Sequence, residues 1–343
     1  MMQVTQGRSI ITATGKKQFR AEVAALGSLS HVNLVQLRGF CVEGVHRLLV
    51  YEYLENGSLD KWIFSEDSHK VRDPTQAADG VDPHGMSHGI REIDKWDVRY
   101  RIAVDTARGL AFLHEGCRDK VLHLDVKPQN ILLDGMFRAK LADFGVSKLI
   151  ERGKATQTQT AIRGTPGYMA PEWFLNLPIT DKSDVFGYGM VLLELIGGRK
   201  NVVSHVDLHD GLAEVPTNKH VEQDRGWYFP AWAAKQAELG KAVDIVDKRV
   251  LDHADQKAEG DAISSLIRLI HIALWCIQED PISRPSMSTV LLMLEEHVRV
   301  PEPPLHLHYI PRQVVYPYSS LLHSSFAMPT STENMMNREY DEH

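Results

Sequence analysis

A chain of 343 residues with ordinary globular composition predicts one large domain or two moderate ones. Its formal charge of −7 gives no reason to expect nucleic acid or an anionic membrane surface as the main partner. No apolar run reaches the ~20 residues of a membrane span, and the N-terminus has no apolar core like that of a signal peptide. Three widely separated cysteines, Cys41, Cys117 and Cys276, favour small buried side chains in a reducing compartment over a disulfide framework.

The first predictable element follows a segment of 15 residues that carries little information. Apolar side chains recur at helical spacing between residues 18 and 29, and they are Phe19, Val23, Leu26 and Leu29. Glu22 lies beside this stripe. Two strands are predicted next, over Asn33–Phe40 and Arg47–Tyr53, around a turn at Glu43 and Gly44. Residues 65–94 are polar and rich in Asp, Gly and Pro, which is typical of a loop.

The stretch Val121–Gly145 has polar side chains where an apolar core would not place them. Strands are predicted at Ile131–Leu133 and Ala139–Leu141, joined by an Asp-Gly turn. Such a hairpin would bring Asn130 and Asp143 close together, although they are distant in sequence.

The residue types in this stretch suit phosphoryl transfer. Asn130 and Asp143 offer oxygen ligands for a hard cation such as Mg²⁺. Asp125 can accept a proton from an attacking hydroxyl, and Lys127 can neutralise charge on the transferred group. The alternative is a loop that is polar by chance, but the spacing H-x-D-x-K-x-x-N followed by D-F-G matches the kinase pattern almost position by position.

Helices are predicted over most of the remaining chain, with polar residues 199–225 as a second insertion. They cover Asp97–His114, Thr180–Ile196, a segment opening at Trp227, Leu266–Ile277 and Met287–Leu294.

Three further motifs narrow the group of kinases that the chain can be compared with. They are HVNLVQLRGFC at His31–Cys41, ARGLAFLH at Ala107–His114 and GTPGYMAPE at Gly164–Glu172. With them the chain resembles eukaryotic protein kinases, and more narrowly the plant receptor-like kinases of the Pelle-related group, particularly the lectin S-receptor-like serine/threonine kinases. The resemblance covers roughly residues 16–300.

The resemblance implies an α+β, two-lobed kinase fold with a truncated, β-rich N-lobe and a complete, mainly helical C-lobe. Residues 1–15 stay unassigned, and residues 16–54 form a partial N-lobe with the C-helix and two or more strands. Residues 55–300 form the C-lobe, with insertions near 65–94 and 199–225, and residues 301–343 form a disordered tail.

The start of the chain departs from the family pattern. Neither a G-x-G-x-x-G loop nor a V-A-x-K strand precedes the first helix. The lysine that pairs with Glu22 in the family should fall near Gly7 or Arg8, and Lys16 and Lys17 are too close to the helix to replace it. We therefore expect the first two strands to be missing and the third to be at best a remnant.

The resemblance also implies the site residues. Asp125 is the catalytic base, Lys127 stabilises charge, Thr165 bridges these two, and Asn130 and Asp143 bind Mg²⁺. ATP is the cofactor. Besides Asp143 and Glu22, the nucleotide is expected to contact Leu132 and the hinge backbone from Glu52 to Leu54, which follows a gatekeeper at Tyr51.

Three supporting roles follow from the same resemblance. Glu172 pairs with Arg284, and Asp184 holds the backbone of the catalytic loop. Thr156, Thr158 and Thr160, in the activation segment 146–163, are equally well phosphorylation sites or ordinary loop threonines. Leu124 stands where kinases regulated by loop phosphorylation usually have arginine, which predicts weak dependence on such phosphorylation.

Taken together, these features predict a serine/threonine protein kinase that uses ATP and Mg²⁺ on a protein substrate. The alternative is a pseudokinase or truncated scaffold that binds partners without efficient catalysis, because the Gly-rich loop and strand lysine are absent. We expect the protein to lie on the cytoplasmic side of a membrane or free in the cytoplasm. A membrane receptor complex is a compatible partner, and we expect no binding to nucleic acid.

Overall fold

The computed structural model describes residues 3–6, 9–13, 15–27, 29–64, 91–151, 164–175, 177–203, 227–252 and 259–304. These residues form a small lobe of antiparallel strands with one helix and a larger, mainly helical lobe, which confirms the predicted α+β two-lobed architecture. The activation-segment threonines, most of both predicted insertions and the predicted tail from residue 305 lie outside the described residues.

The small lobe is built on an antiparallel sheet with the strand order β1-β2-β4-β3. Its strands are β1 (Gln3–Gln6), β2 (Ser9–Ala13), β3 (Leu37–Glu43) and β4 (His46–Glu52). Helix α1 (Lys16–Leu26) packs against β4 and buries Phe19 and Leu26 from the predicted apolar stripe.

The expectation of missing strands is wrong in two respects. β2 pairs with β4 from Ser9↔Glu52 to Ala13↔Leu48, so it is a full strand and not a remnant. β1 pairs with β2 in turn, so two strands precede α1 and both belong to the small lobe. The sequence gives little warning because both strands are short and β1, with the sequence QVTQ, has a single apolar residue.

The larger lobe is built around α4 (Asp181–Gly197), in which every residue from Ser183 to Gly197 is buried. Thr180 caps this helix by accepting a hydrogen bond from the Lys182 backbone N–H at 3.2 Å, and Gly198, with a φ of 63°, ends it. The other helices are α2 (Asp60–Ile63), α3 (Trp96–Ala111), α5 (Phe229–Glu238), α6 (Lys248–Leu251), α7 (Glu259–Cys276) and α8 (Met287–Leu294). α4 packs against α3, α5 and α7, which accounts for its burial along nearly its whole length.

Further short strands follow the small-lobe sheet along the chain. They are β5 (Gly57–Ser58), β6 (Lys120–Leu122), β7 (Ile131–Leu133), β8 (Ala139–Leu141), β9 (Lys148–Ile150), β10 (Val202–Val203) and β11 (Trp227–Tyr228). β7 and β8 pair antiparallel, as predicted. The Val35 N–H donates to the Leu141 carbonyl at 2.9 Å, and the Leu141 N–H donates to the Asn33 carbonyl at 2.9 Å. These bonds tie the connection between α1 and β3 to the hairpin of the larger lobe.

All three cysteines are free thiols. Cys117 and Cys276 are buried, as expected. Cys41 is exposed, which corrects the expectation of burial, because it lies on β3 at the edge of the small-lobe sheet.

Candidate active site

One buried carboxylate, Asp184 of α4, holds the loop between β6 and β7. Its Oδ2 accepts the His123 backbone N–H at 2.8 Å, and its Oδ1 accepts the Leu124 N–H at 2.7 Å. Leu124 has a φ of 65°, a left-handed conformation that costs a non-glycine residue about 1–2 kcal/mol. The bond to its N–H compensates part of that cost. The predicted support of this loop by Asp184 is therefore confirmed.

Asp125, Lys127 and Thr165 form a closed set of hydrogen bonds. Thr165 Oγ1 donates to Asp125 Oδ1 at 2.6 Å, and Lys127 Nζ donates to Asp125 Oδ2 at 2.7 Å and to Thr165 Oγ1 at 2.7 Å. Burial alone would raise the pKa of Asp125, but the hydrogen bonds from Lys127 and Thr165 outweigh it and lower the pKa below the usual value. The carboxylate is therefore ionised at neutral pH.

Asn130 joins this set from the end of the same loop. Its Nδ2 donates to the Asp125 carbonyl at 2.9 Å and to Asp125 Oδ2 at 3.0 Å. The Asn130 carbonyl in turn accepts the Ala142 N–H at 2.9 Å, so the β7–β8 hairpin places Asp143 beside this loop. Asp143 has a φ of 62°, and its Oδ1 accepts the Gly145 N–H at 3.3 Å. The predicted proximity of the loop and the D-F-G segment is thus present.

His123 adds a link that the sequence reasoning missed. Its Nδ1 accepts the Asp125 N–H at 3.3 Å, which leaves the proton on Nε2, and Nε2 lies 3.1 Å from the Ala142 carbonyl. The imidazole is fully buried, and its centroid lies 4.8 Å from that of the Phe144 ring, at an interplanar angle of 53°. The sequence did contain a signal for this role, because His123 lies two residues before the candidate base. At that spacing its side chain can accept the backbone N–H of Asp125.

Glu22 of α1 points toward the same region but has an unexpected partner. The Tyr51 hydroxyl of β4 donates a hydrogen bond to Glu22 Oε2. Burial raises the pKa of Glu22 to about 7, the Tyr51 hydrogen bond opposes that rise, and the nearby Asp143 carboxylate adds to it. Among the described residues Glu22 therefore pairs with a tyrosine rather than a lysine, and Gly7 and Arg8, where the lysine was expected, lie outside them.

The residues expected to contact the nucleotide lie at the junction of the lobes. Glu52 ends β4, and its Oε1 forms an ion pair with Lys140 Nζ of β8 at 2.7 Å. Leu54 follows with a buried side chain, and its carbonyl accepts the Gly57 N–H at 3.2 Å. Leu132 of β7 packs against the core and is partly buried. These residues therefore lie together at the junction of the lobes, beside the hairpin that carries the D-F-G segment.

The pair of Glu172 and Arg284 is present as predicted. Arg284 Nη1 and Nη2 donate to the two carboxylate oxygens of Glu172 at 2.8 and 2.9 Å, and both side chains are fully buried. Arg284 also donates to the backbone carbonyls of Gln278, Glu279 and Lys182. This bidentate pair anchors the segment that carries Thr165 to the base of the larger lobe.

The donor set suits magnesium better than a transition metal. Within the described ranges, no three His, Cys, Asp or Glu side chains are grouped as metal ligands. Mg²⁺ requires few protein ligands when phosphates and water complete its shell. Asn130 and Asp143, an amide oxygen and a carboxylate on adjoining segments, fit that requirement.

Comparison with known proteins identifies the family. Residues 5–293 match the model of the protein kinase domain. The chain is similar to two G-type lectin S-receptor-like serine/threonine-protein kinases of Arabidopsis thaliana. It is 46% identical to SD2-5 over 292 residues, which are 84% of this chain and 30% of that protein. It is 44% identical to SD2-2 over 291 residues, which are 85% of this chain and 32% of that protein.

A third relative is matched over a larger share of its own length. The chain is 42% identical over 293 residues to a probable receptor-like protein kinase of Arabidopsis thaliana, covering 84% of this chain and 58% of that protein. The chain therefore spans about 30% of the length of the lectin-type relatives. Among the helices in the described ranges, none is long and apolar enough to cross a membrane.

Family model, identity and site geometry agree, and the chain belongs to the protein kinase family and, within it, to the plant receptor-like kinases.

Proposed function

We propose that this chain transfers the γ-phosphoryl group of ATP to serine or threonine hydroxyls of protein substrates. The observation that supports this most strongly is the closed set in which Asp125 Oδ1 lies 2.6 Å from Thr165 Oγ1 and Asp125 Oδ2 lies 2.7 Å from Lys127 Nζ. A carboxylate, an ammonium and a hydroxyl are thus fixed together. The relatives are named serine/threonine-protein kinases, which supports the choice of substrate hydroxyl.

In this proposal Asp125 accepts the proton of the substrate hydroxyl while the hydroxyl oxygen attacks the γ-phosphorus and ADP leaves. The lowered pKa of Asp125 keeps its carboxylate ionised, so the proton is taken up only as the oxygen–phosphorus bond forms. The Lys127 ammonium lies against that carboxylate and neutralises charge on the phosphoryl group in transfer.

Asn130 and Asp143 are the residues that would hold Mg²⁺. The Nδ2 of Asn130 is committed to Asp125, so its Oδ1 is left as the acceptor, and no described group donates to that oxygen. When bound, magnesium supplies charge neutralisation at the phosphates. Glu52, Leu54 and Leu132 would then contact the nucleoside, as the family resemblance implies.

A second candidate, a pseudokinase that binds partners without efficient turnover, is favoured by one observation. The Glu22 carboxylate accepts a hydrogen bond from Tyr51 and lies near Asp143 instead of pairing with a lysine among the described residues. Without a lysine partner for Glu22 in the described part of the chain, the expected hold on the ATP phosphates is weaker, while the base is kept.

Transfer of label from radioactive ATP, with Mg²⁺, to the chain itself and to casein tests the proposal. The wild-type chain should incorporate label, and Asp125→Asn should lower the rate about 10²–10⁴-fold because the base is lost. In Asp143→Ala the rate of label incorporation should no longer depend on the magnesium concentration. Asp97→Asn, at an exposed position in the first turn of α3, is the matched control and should keep full activity.

The outcomes separate the two candidates. Equal incorporation by the wild-type chain and Asp143→Ala would remove the catalytic claim. Absence of turnover together with retained nucleotide or partner binding would instead favour the pseudokinase.

We also propose that activity depends weakly on activation-segment phosphorylation. Leu124 is buried and uncharged at the position that would otherwise receive the phosphate. Phosphatase treatment should change the rate less than about twofold, since no charge-assisted hydrogen bond from residue 124 can form. A large loss of activity after that treatment would contradict this.

The setting of the reaction is proposed from the relatives alone. Their names describe receptor-like kinases, so we propose that this chain acts on a protein substrate at the cytoplasmic side of a membrane, near a receptor complex. Co-purification with a membrane fraction that is lost after detergent treatment would support this placement, and recovery only in the soluble fraction would oppose it.

A further inference from the structure

Strand β3 is an edge of the small-lobe sheet, and it presents apolar side chains to solvent. In the order β1-β2-β4-β3 it has a neighbouring strand on one side only. Phe40 and Val42 are exposed to 57% and 51%. The strand contains no lysine or proline, the residues with which natural edge strands discourage pairing. An edge of this kind is a template for a further strand.

The β3–β4 hairpin determines which backbone groups of β3 face outward. Glu43 and His46 flank a two-residue turn, so they exchange both of their backbone hydrogen bonds. Hydrogen-bonded and non-hydrogen-bonded pairs alternate along the ladder. Cys41 is therefore bonded to β4, while Phe40 and Val42 direct their N–H and C=O groups away from it. Among the described residues, no group outside the sheet bonds to these outward N–H and C=O groups.

The pattern of outward groups is self-complementary. When β3 pairs antiparallel with β3 of a second copy, about a two-fold axis at Cys41, Phe40 of each copy lies opposite Val42 of the other. Every outward N–H and C=O of these two residues then has a partner. An aromatic residue opposite a β-branched one is also a favourable cross-strand pair. The Phe40 ring already packs on Phe19 of α1, with ring centroids 5.7 Å apart, which restricts it before pairing.

The charges of β3 favour this antiparallel arrangement of two copies. Arg38 lies near the start of the strand and Glu43 at its end, and both are exposed. Within the described ranges neither side chain has an ion pair. Antiparallel pairing brings the arginine end of one strand to the glutamate end of the other, whereas parallel pairing would bring like charges together. The paired residues also lie toward the hairpin turn, away from Val35, which bonds to the larger lobe.

We infer that β3 is the surface through which two copies of this chain pair, joining their four-stranded sheets into one continuous antiparallel sheet. A single strand edge buries less than the ~1,200 Å² of stable complexes, so the dimer should be weak and should depend on concentration. The paired strands contain no residue of the candidate active site. The proposed function could fail without affecting this pairing.

Sedimentation velocity of the full chain over about 10–500 µM tests the inference, because weak dimers form in this range. The sedimentation coefficient of the wild-type chain should rise with concentration. Val42→Lys places a charge on the paired edge and should weaken dimerisation at least about tenfold. Ile282→Lys makes a similar change at an exposed apolar position of the larger lobe, and this matched control should dimerise like the wild-type chain.

A second variant acts on the backbone instead of the side chain. Val42→Pro removes one outward N–H, spares the hydrogen bonds to β4, and should weaken dimerisation as Val42→Lys does. Thermal melting of each variant checks that it is folded.

Cross-linking reads the register of the pairing. The two Cys41 residues form a non-hydrogen-bonded pair with Cα atoms about 4.5 Å apart, within the ~4.4–6.8 Å that a disulfide spans. Oxidation with copper phenanthroline should therefore give a covalent dimer, which Cys41→Ser and Val42→Lys should each lose. Cys117 and Cys276 are buried and should not replace Cys41.

Four results would each overturn the inference. They are a monomer at every concentration, unchanged dimerisation in Val42→Lys, a dimer that gives no Cys41 cross-link, and equal cross-linking of Val42→Lys and the wild-type chain.

Discussion

Replacement of Asp184 by asparagine is the most informative structural perturbation of the candidate active site. The carboxylate accepts the backbone N–H groups of His123 and Leu124 at 2.8 and 2.7 Å. An asparagine has nearly the same shape but only one acceptor oxygen. One backbone N–H would therefore keep a weaker, neutral partner, and the other would face an amide NH₂ group.

The size of the effect follows from these two backbone bonds, and His114 Nε2, which lies 2.9 Å from Asp184 Oδ2, can only add to it. A hydrogen bond to a charged group contributes about 1.5–3 kcal/mol, and a buried donor left without a partner costs about 1–3 kcal/mol. Weakening one bond and orphaning the second donor should together destabilise the chain by about 3–5 kcal/mol. At about 2 °C per kcal/mol for a large domain, the melting temperature should fall by about 6–10 °C. Leu124 should also leave its left-handed conformation more readily.

Urea denaturation and thermal melting of Asp184→Asn measure this loss. Asp181→Asn is the matched control, since it makes the same change three residues earlier on α4. Asp181 Oδ2 pairs with Lys120 Nζ at 3.0 Å in a partly exposed setting, where a pair contributes about 1 kcal/mol or less. Equal losses in the two variants, or a loss below about 1 kcal/mol in Asp184→Asn, would refute the reasoning.

Three further predictions concern buried groups and can be read by urea denaturation. Arg284→Met should destabilise the chain by about 3–5 kcal/mol because it leaves the buried Glu172 carboxylate unpaired, and adding Glu172→Met should recover most of that loss. Tyr51→Phe should cost about 1–3 kcal/mol because it removes the hydroxyl that donates to Glu22. Burial raises the pKa of Glu194 to about 8, so the folded state holds this proton more tightly than the unfolded chain. Stability should fall as pH rises from about 4.5 to about 8, and Glu194→Gln should remove that part of the pH dependence.

Each of these predictions has its own check. If the double variant at residues 172 and 284 were no more stable than Arg284→Met, the pair would not be the cause of the loss. Tyr53→Phe, two residues beyond Tyr51, is the control for the hydroxyl and should change stability by less than about 0.5 kcal/mol. A Glu194→Gln chain that kept the full pH dependence would assign that dependence to other groups.

Elements with strong local signals could be predicted from the sequence. The β7–β8 hairpin follows from two apolar triplets around an Asp-Gly turn, and its register brings Asn130 next to Ala142 and Asp143. Helix α4 follows from its threonine cap and from glycine at its end, where Gly198 has a φ of 63°. In both cases neighbouring residues alone determine the outcome.

Features that depend on distant partners were harder to predict. β1 and β2 are short; the assignment of β2 depends on pairing with β4, about forty residues away, and β1 pairs in turn with β2. The bond between Tyr51 and Glu22 joins residues 29 positions apart, and nothing in either local pattern indicates it. Cys41 was expected inside because cysteine is often buried, but the edge position of β3 exposes it.

The candidate site was predictable by residue type and spacing, but its internal contacts were not. The pattern indicated Asp125, Lys127 and Asn130, and the structure places them in direct hydrogen-bond contact. The role of His123, which links the loop to the Ala142 carbonyl, required the three-dimensional arrangement. The catalytic roles and the domain boundaries stay predictions.

Calorimetric titration of the chain with a non-hydrolysable ATP analogue, with Mg²⁺ and then with EDTA, tests the central claim most directly. The claim is that Asn130 and Asp143 together hold a magnesium ion beside the Asp125 base. We predict that Mg²⁺ tightens binding at least about tenfold, as expected when one charge-assisted contact is added. We also predict that Asp143→Ala abolishes this difference, while Asp97→Asn keeps it. Equal affinity with Mg²⁺ and with EDTA, or a magnesium effect that survives in Asp143→Ala, would contradict the account.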